Sequence, residues 1–417
     1  MVRLNGPILS GGLPGYIFSL DFRDDGLYLL YRLGEASSLL PLDSLKGNSR
    51  AVGEYLVANA PLSTLALLTP FTGEVLNEAL VSLSPSANGL IPMMAGQVSF
   101  SMDSLLHNHI DKVRSFQNPS VALLSSNRET IPGNSSLPQG EWTPWTSLFG
   151  QFAGQGFTTQ TARVHYNSEG IFVGADYQGV SQSLVGAAVG YAHTHYYQKS
   201  GLSRGNTNSY IASFYGTGKL YNFYISPSLL GAVINTHNER FVFFPGYSQT
   251  ALSSITAFEL LPTLEFGYLW ERENSLISPF TSASLATLWQ RSYTEKGASP
   301  FNAHQAGRQS NLSRSETGVK FQQSWKALWG SFYLKEKLSY VFEKPSNSTF
   351  QGNFVGMPGS FTVYGMSQKL NLASFSLDAF FAIGLEPNPF LFSLGYTGEA
   401  GKNLFSHQIE ARFSKKF

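Results

Sequence analysis

The chain has 417 residues, a formal net charge of +1 and no cysteine. Only 13% of its residues are charged and 14% are aromatic, with 32 Phe, 20 Tyr and 40 Gly, whereas a soluble domain carries about 25% charged residues. These values exclude disulfides and thiolate metal sites, and they leave neither a long-range field nor a basic cluster for a nucleic-acid partner.

The opening segment, MVRLNGPILSGG, has no apolar h-region and no cleavage signature, so Met1 is read as the start of a fragment whose upstream part is missing. Tyr16 to Leu33 reads as a hairpin, YIFSLDF then RDDG then LYLLYRL, with an Asp-Gly turn between apolar strands. From Ser44 to about Phe116 the pattern turns helical and rich in small residues, with Pro61, Pro70 and Pro85 as breaks. The best apolar run, Tyr55 to Phe71, contains two of those prolines and falls short of the roughly 20 apolar residues a membrane helix needs. A last helix is predicted from about Asn88 to Phe116, with Ser84 or Ser86 placed to cap it. Within it Ile91, Met94, Val98, Met102 and Leu105 fall at three- and four-residue spacing, and the charges Asp103, Asp111, Lys112 and Arg114 come later. Two readings fit: a surface helix packed on its neighbours, or a helix that threads a pore. Gln117 to Trp142, rich in Asn, Ser, Pro and Gly, reads as a flexible connector.

From Trp145 onward the chain falls into segments of strand-like alternation separated by Gly, Asn, Ser and Pro clusters. Membrane character without a membrane helix points to the closed barrel, the other structure that satisfies its backbone in lipid. In the last segment Phe405, Ile409, Ala411, Phe413 and Phe417 share one parity, opposite Ser406, Gln408, Glu410, Arg412, Ser414 and Lys416. Phe258, Leu260, Leu264, Phe266, Tyr268 and Trp270 likewise oppose Glu259, Glu265 and Glu271. In Ser374 to Glu386 the lipid set includes Phe375, Leu377, Ala379 and Phe381, opposite Ser374, Ser376 and Asp378. In Ser183 to Tyr196 the small residues Gly186, Ala188 and Gly190 lie opposite Val185, Val189 and Tyr191, so something is expected to pack against the inner side there.

Twelve strands are predicted, starting near Trp145, Gly170, Ser183, Thr207, Asn222, Thr256, Leu276, Arg314, Leu328, Ser374, Pro389 and Lys402. Ser360 to Leu370 is either a thirteenth strand or part of a loop. Short connections, around Tyr221 and Asn388, alternate with long ones at Glu239 to Ile255, Tyr293 to Ser313 and Glu343 to Phe361, matching the short periplasmic turns and long external loops of outer-membrane barrels. An even count puts both barrel ends on the periplasmic side. About twelve strands leave room for roughly one helix, ~10 Å across.

No constellation rises to catalysis or metal binding. His193 and His195 share a strand face but have no acidic partner nearby, so an interface role is expected. His107 and His109, two apart on the predicted helix, diverge around it and are expected to be solvated or to face the lumen. Asn108 or Asn118 with Glu265 or Asp378 could be cast as a self-cleaving site, and polar lumen lining is the reading preferred. Gly150, Gly154 and Gly156 imitate a phosphate loop without its helix and Lys, and are read as lumen clearance. The expected protein is not an enzyme and needs no cofactor or metal.

The arrangement resembles the translocator end of autotransporters over nearly the whole chain. The hairpin looks like the cap that closes a β-helical passenger, SLKGNSRAVGEYL and LNEALVSLSPSANG look like junction segments, and VSFSMDSLLHNHIDKVRSF resembles the pre-barrel helix. EWTPWTSLFGQFAGQG, GIFVGADYQ with SLVGAAVGYAHTH, and LFSLGYTGEAG with the strand ending in Phe417 are similar to the family's barrel strands. The Phe-rich, charge-poor flavour is similar to the polymorphic outer membrane proteins of chlamydia-like bacteria. The resemblance implies an all-β fold of about twelve antiparallel strands, with an α-helix in the lumen and a β-solenoid cap remnant. It divides the chain into the end of a passenger (1–43), a helical junction and connector (44–144, pore helix about 88–116) and the barrel (145–417). It implies residence in the bacterial outer membrane and type V secretion. Its partners would be outer-membrane lipid, the barrel-assembly machinery, periplasmic chaperones and its own passenger. Phe413 and Phe417 would carry the assembly signal, with Lys415 a departure on the lipid face, and Val98, Met102 and Leu105 would belong to the pore helix. The alternative is an adhesin or porin-like channel that works through its long external loops.

Overall fold

The computed structural model describes residues 16–23, 26–33, 40–116, 142–156, 162–179, 183–198, 201–272, 274–327, 330–365, 367–383 and 390–415. The hairpin is present as β1 (Tyr16–Arg23) and β2 (Gly26–Leu33), paired antiparallel from Tyr16 with Leu33 to Arg23 with Gly26. Three short helices follow: α1 (Gly47–Asn59), α2 (Leu62–Leu65) and α3 (Gly73–Leu83). The first ends just before Pro61, whose ring bars a continued helix. A 3-10 turn, Ser86–Gly89, leads into α4 (Ile91–Phe116). Neither Ser84 nor Ser86 caps α4 as expected. Ser86 lies within the 3-10 turn, and the hydroxyl of Ser84 is buried. The expected connector lies outside the described residues.

The barrel begins with β3 (Trp142–Gln155), β4 (Val164–Gln178), β5 (Leu184–Gln198), β6 (Ser203–Leu220), β7 (Phe223–Phe244) and β8 (Tyr247–Tyr268), which β9 (Trp270–Arg272) extends past a break at Leu269. It continues with β10 (Ser275–Gln290), β13 (Arg308–Ala327), β14 (Gly330–Ser346), β17 (Leu370–Ile383), β18 (Phe390–Gly401) and β19 (Leu404–Lys415). The short strands β11 (Tyr293–Thr294), β12 (Ala303–Gln305), β15 (Thr349–Phe354) and β16 (Phe361–Tyr364) make a separate four-stranded sheet from the two longest connections. Each barrel strand pairs antiparallel with its neighbour in sequence, and β19 returns to β3, from Ser414 with Trp145 to Leu404 with Gln155. The ring is therefore a closed barrel of twelve staves, which leaves no sheet edge. Ser360 to Leu370 holds β16 and the start of β17 rather than a thirteenth stave.

Parity decides what each residue meets. Val185, Phe214, Leu264, Leu338, Phe375 and Ile409 are exposed on the outside, as lipid-facing residues must be in a bare chain, while Ser147, Gln151, Ser226, Glu265, Lys335, Asp378 and Arg412 are buried inside. At the short-turn end the outer face carries an aromatic ladder. Trp325, Phe332, Phe381, Phe392 and Phe413 stand directly opposite one another on five adjacent strands, with ring centroids 5.3, 5.1, 6.2 and 5.1 Å apart. Rings at this height suit the bilayer interface.

Two expectations are corrected here. Glu239 to Ile255 is not a loop, because β7 and β8 stay paired up to Phe244 and Tyr247 around a two-residue turn. Thr250, Ser248 and Gln249 keep the strand alternation but are too polar to be distinguished from loop residues by composition. Gly150 and Gly154 are not lumen clearance, since their parity places them on the outer wall with Leu148 and Phe152. A Cβ on Gly154 would meet the ring of Phe405 at 2.3 Å, so this glycine makes room for an aromatic outside. Gly156 lies past the end of β3 and packs against Asn403.

Candidate functional site

The lumen is occupied by α4. No helix among the described residues is long and apolar enough to cross lipid by itself, and α4 has no need to be, because the barrel wall surrounds it. Its buried side chains point in every direction: Met94, Val98, Met102, Leu105 and Leu106, but also Gln97, Ser99, Asp103, His107, His109 and Asp111. The stripe of Val98, Met102 and Leu105 is buried at 3, 0 and 0% exposure. These three pack in one apolar cluster with wall residues such as Phe149, Leu230, Ile255 and Leu372.

Towards the short-turn end the contacts become ionic. Asp111 is paired with Lys320 at 2.8 Å, Lys335 at 2.5 Å and its own helix neighbour Arg114. Arg114 also lies over the ring of Tyr224 at 3.5 Å. On the opposite wall Lys112 donates to Ser393 Oγ at 2.7 Å and sits over Phe380 at 4.3 Å. Arg412 reaches the backbone oxygen of Leu105 at 2.7 Å, and Asp103 accepts from Ser228 at 2.6 Å. Higher up, Gln97 donates to Glu343 at 2.5 Å. Charges at this depth are tolerated only when paired, so the helix is keyed to one depth and one rotation.

Both helix histidines are buried rather than solvated. His109 stacks on Trp145 at 4.4 Å and bonds Asp176 at 2.5 Å. Trp145 donates to Tyr215 at 2.7 Å, and Tyr215 donates in turn to Asp176. The ring of Trp145 lies over Gly174, that of Phe172 over Gly190 and that of Tyr215 over Gly186. The small inner residues of β5 thus receive aromatic rings from neighbouring strands. Ala188, between them, joins the cluster around α4. His107 bonds the backbone oxygen of Asp103 at 3.0 Å.

Of the residues cast as a self-cleaving site, Asn108 and Glu265 line one lumen cavity, and each meets a wall lysine. Asn108 accepts from Lys335 at 3.0 Å, and Glu265 accepts from Lys320 at 2.6 Å and Tyr224 at 3.0 Å. Asn118 lies outside the described residues. His193 and His195 each bond a neighbouring asparagine, Asn208 at 2.8 Å and Asn206 at 2.7 Å. Among the described residues no three His or carboxylate groups converge as a metal would require. Phe413 is half exposed on the outer wall, and Phe417 lies outside the described residues.

Sequence reasoning missed the packing at the long-loop end. There α1 and α3 share a core with the loops: Val52, Tyr55, Leu56, Leu76 and Leu80 against Val242, Phe244, Phe301, Phe354 and Phe361. Tyr55 donates to the backbone oxygen of Met357 at 3.3 Å, and burial pushes its hydroxyl pKa above the usual value. Burial, and next to it the nearby Glu295 carboxylate, raises that of Tyr293 as well. The available clue was the run of large aromatics in the long connections, at Phe301, Phe350, Phe354 and Phe361, too apolar for solvated loops.

Comparison with known proteins places this architecture. Residues 144–386 match the autotransporter beta-domain family. The fold is similar to the translocator domain of the autotransporter NalP from Neisseria meningitidis, with a TM-score of 0.53 and 11% identity over 76% of this chain and 98% of that one. The beta domain of the Bordetella autotransporter BrkA aligns with a TM-score of 0.49 and 13% identity, over 66% and 99% of the two chains. Comparison with curated protein sequences finds no match.

Proposed function

The chain belongs to the autotransporter beta-domain family, and from that premise we propose that it is an outer-membrane translocator of type V secretion that anchors an upstream passenger and carries it to the cell surface. The observation that carries the reading is the threaded lumen. A single helix fills a closed ring, with its N-terminal end at the long-loop mouth and its C-terminal end beside the first barrel strand. A chain that runs from the outside, through the lumen, to the periplasmic start of β3 is what export of an upstream segment leaves behind. In this reading residues 1–43 are the end of the passenger and its cap, 44–144 the junction with the pore helix, and 145–417 the anchor. Val98, Met102 and Leu105 hold the helix in place. Phe413 and Phe417 are the aromatic signal that the barrel-assembly machinery reads, after periplasmic chaperones have delivered the chain. No nucleotide is invoked; insertion and folding outside drive the transfer.

The test fuses a protease-sensitive reporter ahead of residue 1 and deletes Val98–Phe116 in the full chain. Barrel insertion is followed by heat-dependent mobility on gels. Surface reporter on intact cells is expected to fall at least tenfold while the barrel still inserts. Undiminished display from the deleted chain would sink the proposal. A porin-like reading predicts a large steady conductance from the intact protein, whereas the keyed helix predicts a small, flickering one.

A further inference from the structure

We infer that residues 40–83 form a lid on the outer mouth of the barrel, latched by Arg240, and that this lid and not the lumen helix alone seals the pore against solutes. Arg240 lies on the inward parity of β7, beyond the reach of α4, and is 1% exposed. All five of its N–H groups find acceptors. Nε and Nη2 clasp the Glu295 carboxylate at 3.1 and 2.5 Å, Nη1 donates to the backbone oxygens of Ser82 and Leu83 at 2.8 and 3.0 Å, and Nη2 also donates to that of Phe301 at 2.9 Å. Glu295 in turn accepts from the backbone N–H of Ala303 at 2.8 Å.

The chemistry of this clasp is specific. Ser82 and Leu83 hold the last carbonyls of α3, which have no partner within a helix and attract a cation. A guanidinium is the side chain that can meet three carbonyls and a bidentate carboxylate in one plane. It thereby joins three segments: the extended β7, the connection between β10 and β13, and the lid. Around it the apolar surfaces of α1 and α3 are buried on the four-stranded loop sheet.

Below the latch the passage is closed around one residue. Asn88, fully buried, donates to Tyr293 at 2.5 Å and accepts from Asn238 at 2.9 Å, while its backbone oxygen accepts from Arg308 at 2.7 Å. Asn238 is itself held by Ser203 of the adjacent β6 and by Tyr196 of β5, the next strand along the wall. A Cβ on Gly89 would lie 3.0 Å from the backbone of Gly365, so the chain passes here with no spare room. Lid, latch and neck together make an outer seal, placed in series with the helix. The inference rests on the long-loop end facing outward and not on passenger export, which the test does not read.

The test uses the full chain carrying Arg240→Ala, inserted in liposomes and in planar bilayers. Arg50 lies exposed on α1, but trypsin can cut there only when the helix opens. Cleavage after Arg50 is expected to accelerate at least tenfold, and the open time of the channel to lengthen several-fold. Unchanged cleavage in an inserted Arg240→Ala barrel would overturn the latch, and faster cleavage with unchanged conductance would overturn the seal. If Arg240→Ala does not insert, Glu295→Gln, which keeps the shape and removes the charge, takes both measurements with the same expected and overturning results.

Discussion

Asp111 shows how much one lumen residue can hold. It answers two wall lysines and an arginine of its own helix, and leaving a buried charge uncompensated costs about 3–5 kcal/mol. Asp111→Asn is expected to unseat the helix: in proteoliposomes whose barrel also carries Arg240→Ala, so that the outer seal is open, calcein efflux should rise several-fold over Arg240→Ala alone, and equal efflux would refute the role given to it. Gly174 offers a second check. A Cβ there would sit 2.6 Å from the Trp145 ring, and Trp145 carries both the His109 stack and the bond to Tyr215. Forcing such a contact costs about 1–3 kcal/mol, so Gly174→Val should lower the temperature at which the barrel loses its compact gel mobility, and an unmoved transition would argue against it. At this scale the face of the large residues was readable, because period two alone separates Phe258 from Glu259 and Phe405 from Ser406, whereas Gly150 and Gly154 carry no side chain to mark theirs and were read onto the wrong one. The partners were not. Trp145 and Gly174 are joined only by register across strands, and nothing local announces that His109 will meet Asp176.

Among the elements, the helix and the twelve staves were legible from period, turns and prolines. Their ends were not. The fourth barrel strand begins at Ser203 rather than near Thr207, and the sixth at Tyr247 rather than near Thr256, because alternation persists above the membrane while hydrophobicity fades. The lid went unseen for another reason: the burial of α1 and α3 depends on aromatic residues some 160 to 300 positions later in the chain. Replacing Val242–Gln249 with an Asn-Gly turn joins Phe241 to its own partner Thr250 and removes the lid contacts of Val242, Phe244 and Tyr247, but leaves the pairing of β7 with β8 below it. The barrel should insert normally and trypsin should release the lid. A protected lid would show that the loop sheet suffices without the long hairpin.

For the whole molecule, ring and rod are one covalent chain. The rod is joined below to the first stave and continues above into a folded unit of about 44 residues, roughly 20 Å across, set over a lumen that admits one helix of ~10 Å. It behaves as a rivet headed from the outside. On the proposed export route the head forms after the shank has passed, since a folded lid could not follow through the ring. It also sets where a load falls. Tension on any segment upstream of residue 40 is taken first by the lid and by the Arg240 clasp, and it reaches the buried charges around Asp111 only once that head has been torn away. A protein held at a cell surface in flowing liquid would thus fail from the top down, shedding its outer layer before its membrane anchor is strained.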